Sequence, residues 1–146
     1  MQKNDIKIKL ITSARKVVTV PEYSIKLDGH LLKTVSSDEQ HTFLIVQSLD
    51  PGPHRLSVEF FNKNFSEIDP PNRDMAVIVE SVKFQNLSSE FNVYSQYQPV
   101  YPDDWSGPRT PVIHANYLGW NGEWYIDFEA PIYQWIHQRL NLGWLI

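Results

Sequence analysis

Cysteine is absent from the chain, so neither a disulfide nor a thiolate metal site can stabilise it. Basic residues are not in excess: 13 lysines and arginines against 17 acidic residues give a net charge of -4, which disfavours nucleic-acid binding. No apolar run approaches the roughly 18 residues that a membrane span requires, and residues 1–5 lack a signal-peptide core. These absences predict a protein made in the cytoplasm without a signal peptide, with neither nucleic acid nor a membrane as partner.

Hydrophobic residues, by contrast, are plentiful and follow the periodicity of strands. They make up 42% of the 146 residues, enough for a single domain over residues 1–146 with its own core. Apolar and polar residues alternate over residues 6–10 and 56–60, as in half-buried strands. Residues 75–82 are nearly continuously apolar, which is typical of a strand that is covered on both faces or lies deep in a sandwich.

Turn residues divide these runs. Asp28 and Gly29 form a dipeptide that predicts a tight hairpin, because glycine tolerates the positive φ of the turn. Asn121 and Gly122 predict a second hairpin by the same reasoning. Four prolines in residues 99–111 predict an irregular surface excursion, after which residues 113–118 resume strand character.

A short helix is predicted near the C-terminus. Pro131 suits the first helical position, and four apolar residues follow at helical spacing on one face: Ile132, Trp135, Ile136 and Leu140. Eight or nine short strands with one late helix predict an all-β fold, an antiparallel β-sandwich of the jelly-roll kind with one short C-terminal helix.

The segment from His54 to Asn86 carries a family resemblance. Its first strand reaches Asn62 two residues after Phe60, and a loop leads to a second strand that closes on Gln85 and Asn86. This arrangement resembles the calcium-dependent, xylan-binding-like carbohydrate-binding modules, in which a strand ends in Phe-x-Asn-Asp, a loop leads to Asp-Arg-Asn-Leu, and a second strand closes on Asn-Gly. The resemblance extends to residues 6–86 and implies a jelly-roll sandwich that grips sugars at its loops, sometimes through calcium, without catalytic machinery.

Two acidic positions of the family pattern are altered in this chain. Asn62 and Lys63 stand where the family has Asn-Asp, and residues 72–75 read Asn, Arg, Asp, Met in place of Asp-Arg-Asn-Leu. Calcium takes about six to eight oxygen ligands, carboxylates among them, so a lysine works against a calcium site. Two interpretations stay open for the loop carboxylates: solvated charges, or an alternative calcium site formed by Glu67, Asp69 and Asp74. No other cofactor is expected.

A second candidate site lies between Tyr94 and Trp105, where aromatic rings occur with few aliphatic residues. Exposed rings suit sugar rings and protein interfaces equally, and they also serve simply to cover the end of a sandwich. The predicted ligand or partner surface is Tyr94, Tyr97, Tyr101, Asp103, Asp104 and Trp105.

The C-terminal region is also aromatic, and most of its rings between Tyr117 and Trp144 are expected in the core. The last residues are unusually apolar for a chain end, because free termini are usually polar and frayed. They are predicted to pack into the sandwich or to form an assembly tail that binds a neighbouring subunit: Leu142, Trp144, Leu145 and Ile146.

Catalytic motifs are missing. The chain has no Gly-x-Ser-x-Gly elbow, no glycine-rich phosphate loop and no His-Glu-x-x-His pair, and nothing marks a pair of glycosidase carboxylates. We therefore predict that the protein is not an enzyme.

Two non-enzymatic functions remain. The favoured hypothesis is a stand-alone structural subunit of a larger assembly, such as an exterior decoration or appendage protein of a virion, with protein subunits as partners and surface glycan adhesion as an added role. The alternative is a polysaccharide-binding module, assisted by calcium or not, that partners a carbohydrate-active enzyme. Fold alone does not decide between them.

Overall fold

The structure is a computed structural model that describes residues 4–63, 75–101, 103–113 and 116–140. Within these described ranges, ten strands and one α-helix follow one another: β1 Asn4–Arg15, β2 Glu22–Leu27, β3 His30–Ser36, β4 His41–Leu49, β5 Gly52–Phe60, β6 Ala76–Phe84, β7 Ser95–Pro99, β8 Val112–Ile113, β9 Tyr117–Leu118, β10 Gly122–Ala130 and α1 Ile132–Leu140.

The strands form two antiparallel sheets. Sheet I has the order β4-β1-β6-β9, and sheet II has the order β3-β2-β5-β10-β7-β8. The predicted antiparallel β-sandwich with one short C-terminal helix is therefore confirmed. Because β5 belongs to sheet II and β6 to sheet I, the loop between them passes from one sheet to the other.

The inner faces of the two sheets form the hydrophobic core, and the period-two alternation in the sequence decides which residues enter it. Fully buried side chains from β1 of sheet I face those from β5 and β10 of sheet II: Ile6, Ile8, Leu10, Leu56, Val58, Phe60, Trp124, Ile126 and Phe128. On β10 the intervening Tyr125, Asp127 and Glu129 lie on the outer face, as the alternation predicts.

The predicted hairpin at Asp28 and Gly29 is present. Both residues have a positive φ, 53° and 80°, and the dipeptide joins the antiparallel strands β2 and β3. The prediction of a hairpin at Asn121 and Gly122 is wrong, because the strands on its two sides do not pair with each other. The strand before it, β9, pairs with β6 of sheet I, whereas β10 pairs with β5 and β7 of sheet II.

Glycine is nevertheless required at position 122. Its φ is 152°, and a Cβ atom there would lie 2.3 Å from the carbonyl oxygen of Gln98 on β7. The residue is needed for a close approach between strands and not for a tight turn. The continuous strand expected over residues 113–118 is also corrected, because β8 joins sheet II and β9 joins sheet I.

The helix α1 begins after Pro131 and covers one end of the core. Ile132, Trp135 and Ile136 are buried, as the apolar stripe predicts. The Trp135 ring lies 5.2 Å from that of Phe84 and 5.4 Å from that of Phe91, distances typical of favourable aromatic pairs. Among the described residues no helix is long and apolar enough to span a membrane.

His54 ties two turns together at the start of β5. Its Nδ1 lies 2.6 Å from a carboxylate oxygen of Asp28, and its Nε2 lies 2.7 Å from the carbonyl oxygen of Asp50. Burial lowers the pKa of His54, but the hydrogen bonds and charges of Asp28 and Asp50 outweigh it, so the pKa lies above its ordinary value. Only the imidazolium donates from both nitrogens at once.

Candidate functional site

The proline-rich excursion after β7 is organised by one guanidinium group. Arg109 donates hydrogen bonds to the backbone carbonyl oxygens of Tyr101, Asp103 and Trp105, at distances of 3.5, 3.3 and 3.2 Å. The Tyr101 hydroxyl donates to the carbonyl of Thr110 at 2.6 Å. A planar group with five donors can satisfy several carbonyls at once, which holds this segment in one conformation without regular secondary structure.

Three rings meet on this excursion, and we call Tyr101, Trp105 and Trp120 the aromatic platform. The rings of Tyr101 and Trp105 are stacked with centroids 5.3 Å apart, and the Trp120 ring meets both edge-on at 5.5 and 5.3 Å. The Trp105 Nε1–H donates to the carbonyl of Pro108 at 3.1 Å. Even so, Trp105 remains 40% exposed. The platform therefore presents an indole that is fixed in orientation and open to solvent.

Glycine at position 107 contributes to this geometry. A Cβ atom there would lie 3.0 to 3.2 Å from three atoms of the Trp105 indole, closer than ordinary van der Waals contact. Asp103 and Asp104 are exposed beside the platform, and their carboxylates can accept hydrogen bonds from hydroxyl groups.

Two of the tyrosines that were predicted to lie on this surface are directed away from it. Tyr97 is only 5% exposed, so its expected place on the surface is wrong. Its hydroxyl accepts a hydrogen bond from the backbone N–H of Trp120 at 3.1 Å and donates to the backbone carbonyl of the same residue. Burial raises the pKa of Tyr97 to about 12. Tyr94 is half-buried under α1, where its ring packs against Trp135 and its hydroxyl donates to the Arg139 carbonyl.

Trp120 belongs to the C-terminal group of rings of which most are expected in the core, and it completes the platform. Its backbone is held by Tyr97, so the core of the sandwich positions the exposed rings. No local pattern in the sequence marks Trp120 or Arg109 for this role. The contacts that recruit them join residues separated by up to 23 positions.

The ends of the β5–β6 loop are held by polar contacts. The Asn62 side-chain oxygen accepts from the Glu22 N–H at 2.7 Å, which fixes the loop to β2. The Lys63 ammonium donates to the Met75 carbonyl at 2.7 Å, and the Lys63 N–H donates to the Asn121 side chain at 2.6 Å. Lys63 thus closes the base of the loop.

These contacts do not fit a calcium site at the described ends of the loop. The Lys63 ammonium places a positive charge at the base of the loop and donates to the Met75 carbonyl oxygen, and such a charge disfavours a cation there. Within the described ranges, no group of three or more histidine, aspartate or glutamate side chains is placed to hold a metal ion. The alternative ligands Glu67, Asp69 and Asp74 lie outside the described residues, as does the predicted assembly tail of Leu142, Trp144, Leu145 and Ile146.

Comparison with known proteins defines the class of fold. No protein-family model matches the chain, and no curated protein sequence is significantly similar to it. Among solved structures, the selenomethionine form of vCBM60, described with two families of calcium-dependent carbohydrate-binding modules, is similar with a TM-score of 0.56 and 16% identity, over 83% of this chain and 89% of that one. vCBM60 in complex with galactobiose has a TM-score of 0.52 and 14% identity, over 84% of this chain and 97% of that one.

The chain therefore shares its fold with vCBM60, and the sequence resemblance is confirmed at the level of fold. At these identities the similarity concerns the arrangement of the strands and does not identify binding residues in this chain.

Proposed function

We propose that the protein is a non-catalytic carbohydrate-binding module that holds a sugar ring against Trp105. The observation that carries this proposal is the aromatic platform, in which an indole held by Tyr101 and Pro108 remains 40% exposed. The shared fold of two vCBM60 structures supports it.

The chemistry of the platform suits a sugar. A sugar ring has an apolar face of C–H groups and a polar rim of hydroxyls, so it needs a flat apolar surface beside hydrogen-bond acceptors. Trp105 supplies the surface, and Asp103 and Asp104 supply exposed carboxylates. Because Arg109 already fixes the excursion, little conformational entropy is lost when the ligand binds.

A glycan array provides the first test. We expect binding to neutral oligosaccharides, with xylan fragments and galactobiose included among the probes, and no release of reducing ends when the bound glycan is incubated with the protein. An array without a single reproducible signal would refute the proposal, and release of reducing ends would refute its non-catalytic part.

We expect this binding to be independent of calcium. Lys63 closes the loop that holds acidic residues in the family pattern, so the described loop ends favour a site without the ion. Array signals measured in EDTA and in millimolar calcium should be equal. A requirement for calcium would contradict binding by the platform without an ion.

As a second candidate function we propose the assembly subunit predicted from the sequence, with a virion exterior protein as one example. The supporting observation is the edge strand β4, which pairs only with β1 among the described residues. Its nine residues contain no Asp, Glu, Lys, Arg, Pro or Gly, and Leu44 and Val46 on its outer face are 76% and 61% exposed. Natural edge strands usually carry charges or prolines that prevent pairing with another chain.

Light scattering after size exclusion tests this second function. Assembly through β4 predicts an oligomer that the Leu44→Lys change dissociates, whereas Leu31→Lys on β3, an edge strand of sheet II, should leave it intact. A monomer at all protein concentrations, or equal effects of the two changes, would contradict assembly through β4.

A further inference from the structure

The outer face of sheet II carries an open groove that none of the aromatic platform residues lines. It consists of two adjoining depressions, with volumes of about 330 and about 520 Å³, that share Asp127 of β10 and Arg139 of α1. Volumes of this size fall in the range of small-molecule sites, roughly 300–1,000 Å³. The groove exists because the last turn of α1 lies beside strands β7 and β10.

The floor of the groove is held in place by interactions across three strands. The Tyr125 hydroxyl on β10 donates to the Gln96 side-chain oxygen on β7 at 2.6 Å. Arg55 on β5 lies 3.9 Å from the centre of the Tyr125 ring and donates two hydrogen bonds to the Asp127 carboxylate, at 2.7 and 3.1 Å. A floor fixed in this way is preorganised, which lowers the entropy lost when a ligand binds.

Two hydrogen-bond donors in the groove remain available. The Gln96 amide nitrogen has no hydrogen-bond acceptor among the described residues, and the Arg139 guanidinium has no carboxylate partner among them. Arg139 instead lies 5.9 and 5.8 Å from the ring centres of Tyr94 and Trp135. The groove therefore combines free donors with the acceptor oxygens of Asp127.

The charges of the groove cancel. Asp127 and Arg139 balance each other in the first depression, and the second adds one cation and one anion, Arg55 and Glu129. A balanced lining gives no net attraction for an anionic or a cationic ligand. It matches a neutral, hydroxyl-rich molecule, because each hydroxyl both donates and accepts.

We infer that this groove is a second saccharide site, which binds a neutral oligosaccharide independently of the aromatic platform. The choice of a sugar as ligand rests on the proposed function, whereas the separateness of the site rests on the geometry alone. Two sites on one module raise the avidity for a polymeric glycan without any new contact.

NMR titration of the isotope-labelled protein with xylohexaose, and separately with galactobiose, tests the inference. Two groups of amide signals should shift with separate dissociation constants: one over residues 100–111, and one at Gln96, Asp127 and Arg139. In the Trp105→Ala variant the groove signals should still shift, with an unchanged dissociation constant.

Variants of the groove complete the design. Changing Gln96 and Arg139 together to Ala should weaken the groove site roughly tenfold or more, as expected when a hydrogen bond to a charged group is lost. Gln138→Ala, an exposed change on the same helix, should leave it unaltered. The inference is overturned if groove signals stop shifting in Trp105→Ala, if the double variant binds unchanged, or if oligogalacturonate binds the groove more tightly than the neutral sugars.

The outcomes separate the two proposals. Shifts in the groove without shifts at the platform would refute the platform and support the groove. Shifts at the platform alone would refute only the groove, and no shift with either sugar would refute both.

Discussion

Removal of the Trp105 indole should weaken sugar binding by roughly tenfold. A tryptophan side chain presents about 250 Å² when fully accessible, and Trp105 is 40% exposed, which leaves about 100 Å² for a ligand. A sugar that stacks on one face covers about half of this area. At about 25 cal/mol per Å², burying about 50 Å² contributes about 1.3 kcal/mol, or roughly a tenfold change in the dissociation constant.

Isothermal titration calorimetry with the best glycan from the array measures this effect in Trp105→Ala. Tyr133→Ala is the matched control, because Tyr133 is 60% exposed on α1 and does not belong to the platform. Thermal unfolding of both variants should remain close to that of the unchanged protein, since both rings are substantially exposed. If Trp105→Ala binds normally, or if Tyr133→Ala loses as much affinity, the assignment of the site to the platform is refuted.

Two further predictions concern stability. Because the pKa of His54 is raised by Asp28 and Asp50, its imidazolium stabilises the fold fully below the unfolded pKa of about 6.5, and this contribution is lost as pH rises through the folded pKa. Urea unfolding should show a loss of stability towards pH 9, and Asp28→Asn should reduce this pH dependence without abolishing it, because Asp50 still faces the ring; equal pH profiles would contradict the assignment. Gly122→Ala should lower the free energy of unfolding by about 3 kcal/mol or more, a larger loss than Gly52→Ala causes. Both glycines have a positive φ, but only at position 122 would a Cβ atom meet backbone atoms. Equal losses in the two variants would show that the steric contact at position 122 contributes nothing beyond backbone strain.

The architecture could be predicted because burial in a sandwich imposes a period of two on each strand. Trp124, Ile126 and Phe128 face the core as their spacing requires, and the dipeptide of Asp28 and Gly29 forms its hairpin from local chemistry alone. Local signals of this kind do not depend on distant parts of the chain.

The turn at Asn121 and Gly122 could not be predicted in the same way. Its dipeptide is compatible with a hairpin, but the partners of the flanking strands are chosen by packing, which sends β9 to sheet I and β10 to sheet II. Gly122 serves the approach to Gln98, a contact that becomes apparent only when β7 and β10 are paired.

The candidate site was predicted in part. Composition located an aromatic segment but does not give the direction of each ring, so Tyr97 was assigned to the surface although it lies on the inner face of β7. The recruitment of Trp120 and Arg109, and the groove beneath α1, depend on contacts between separate elements that no local pattern encodes.

A crystal structure of the protein with the oligosaccharide that binds most tightly on the array tests the central claim most directly. The account predicts a sugar ring stacked on the exposed Trp105 indole, with hydroxyl groups near Asp103 or Asp104. A glycan bound without contact to Trp105, in crystals where the platform is accessible, would contradict it.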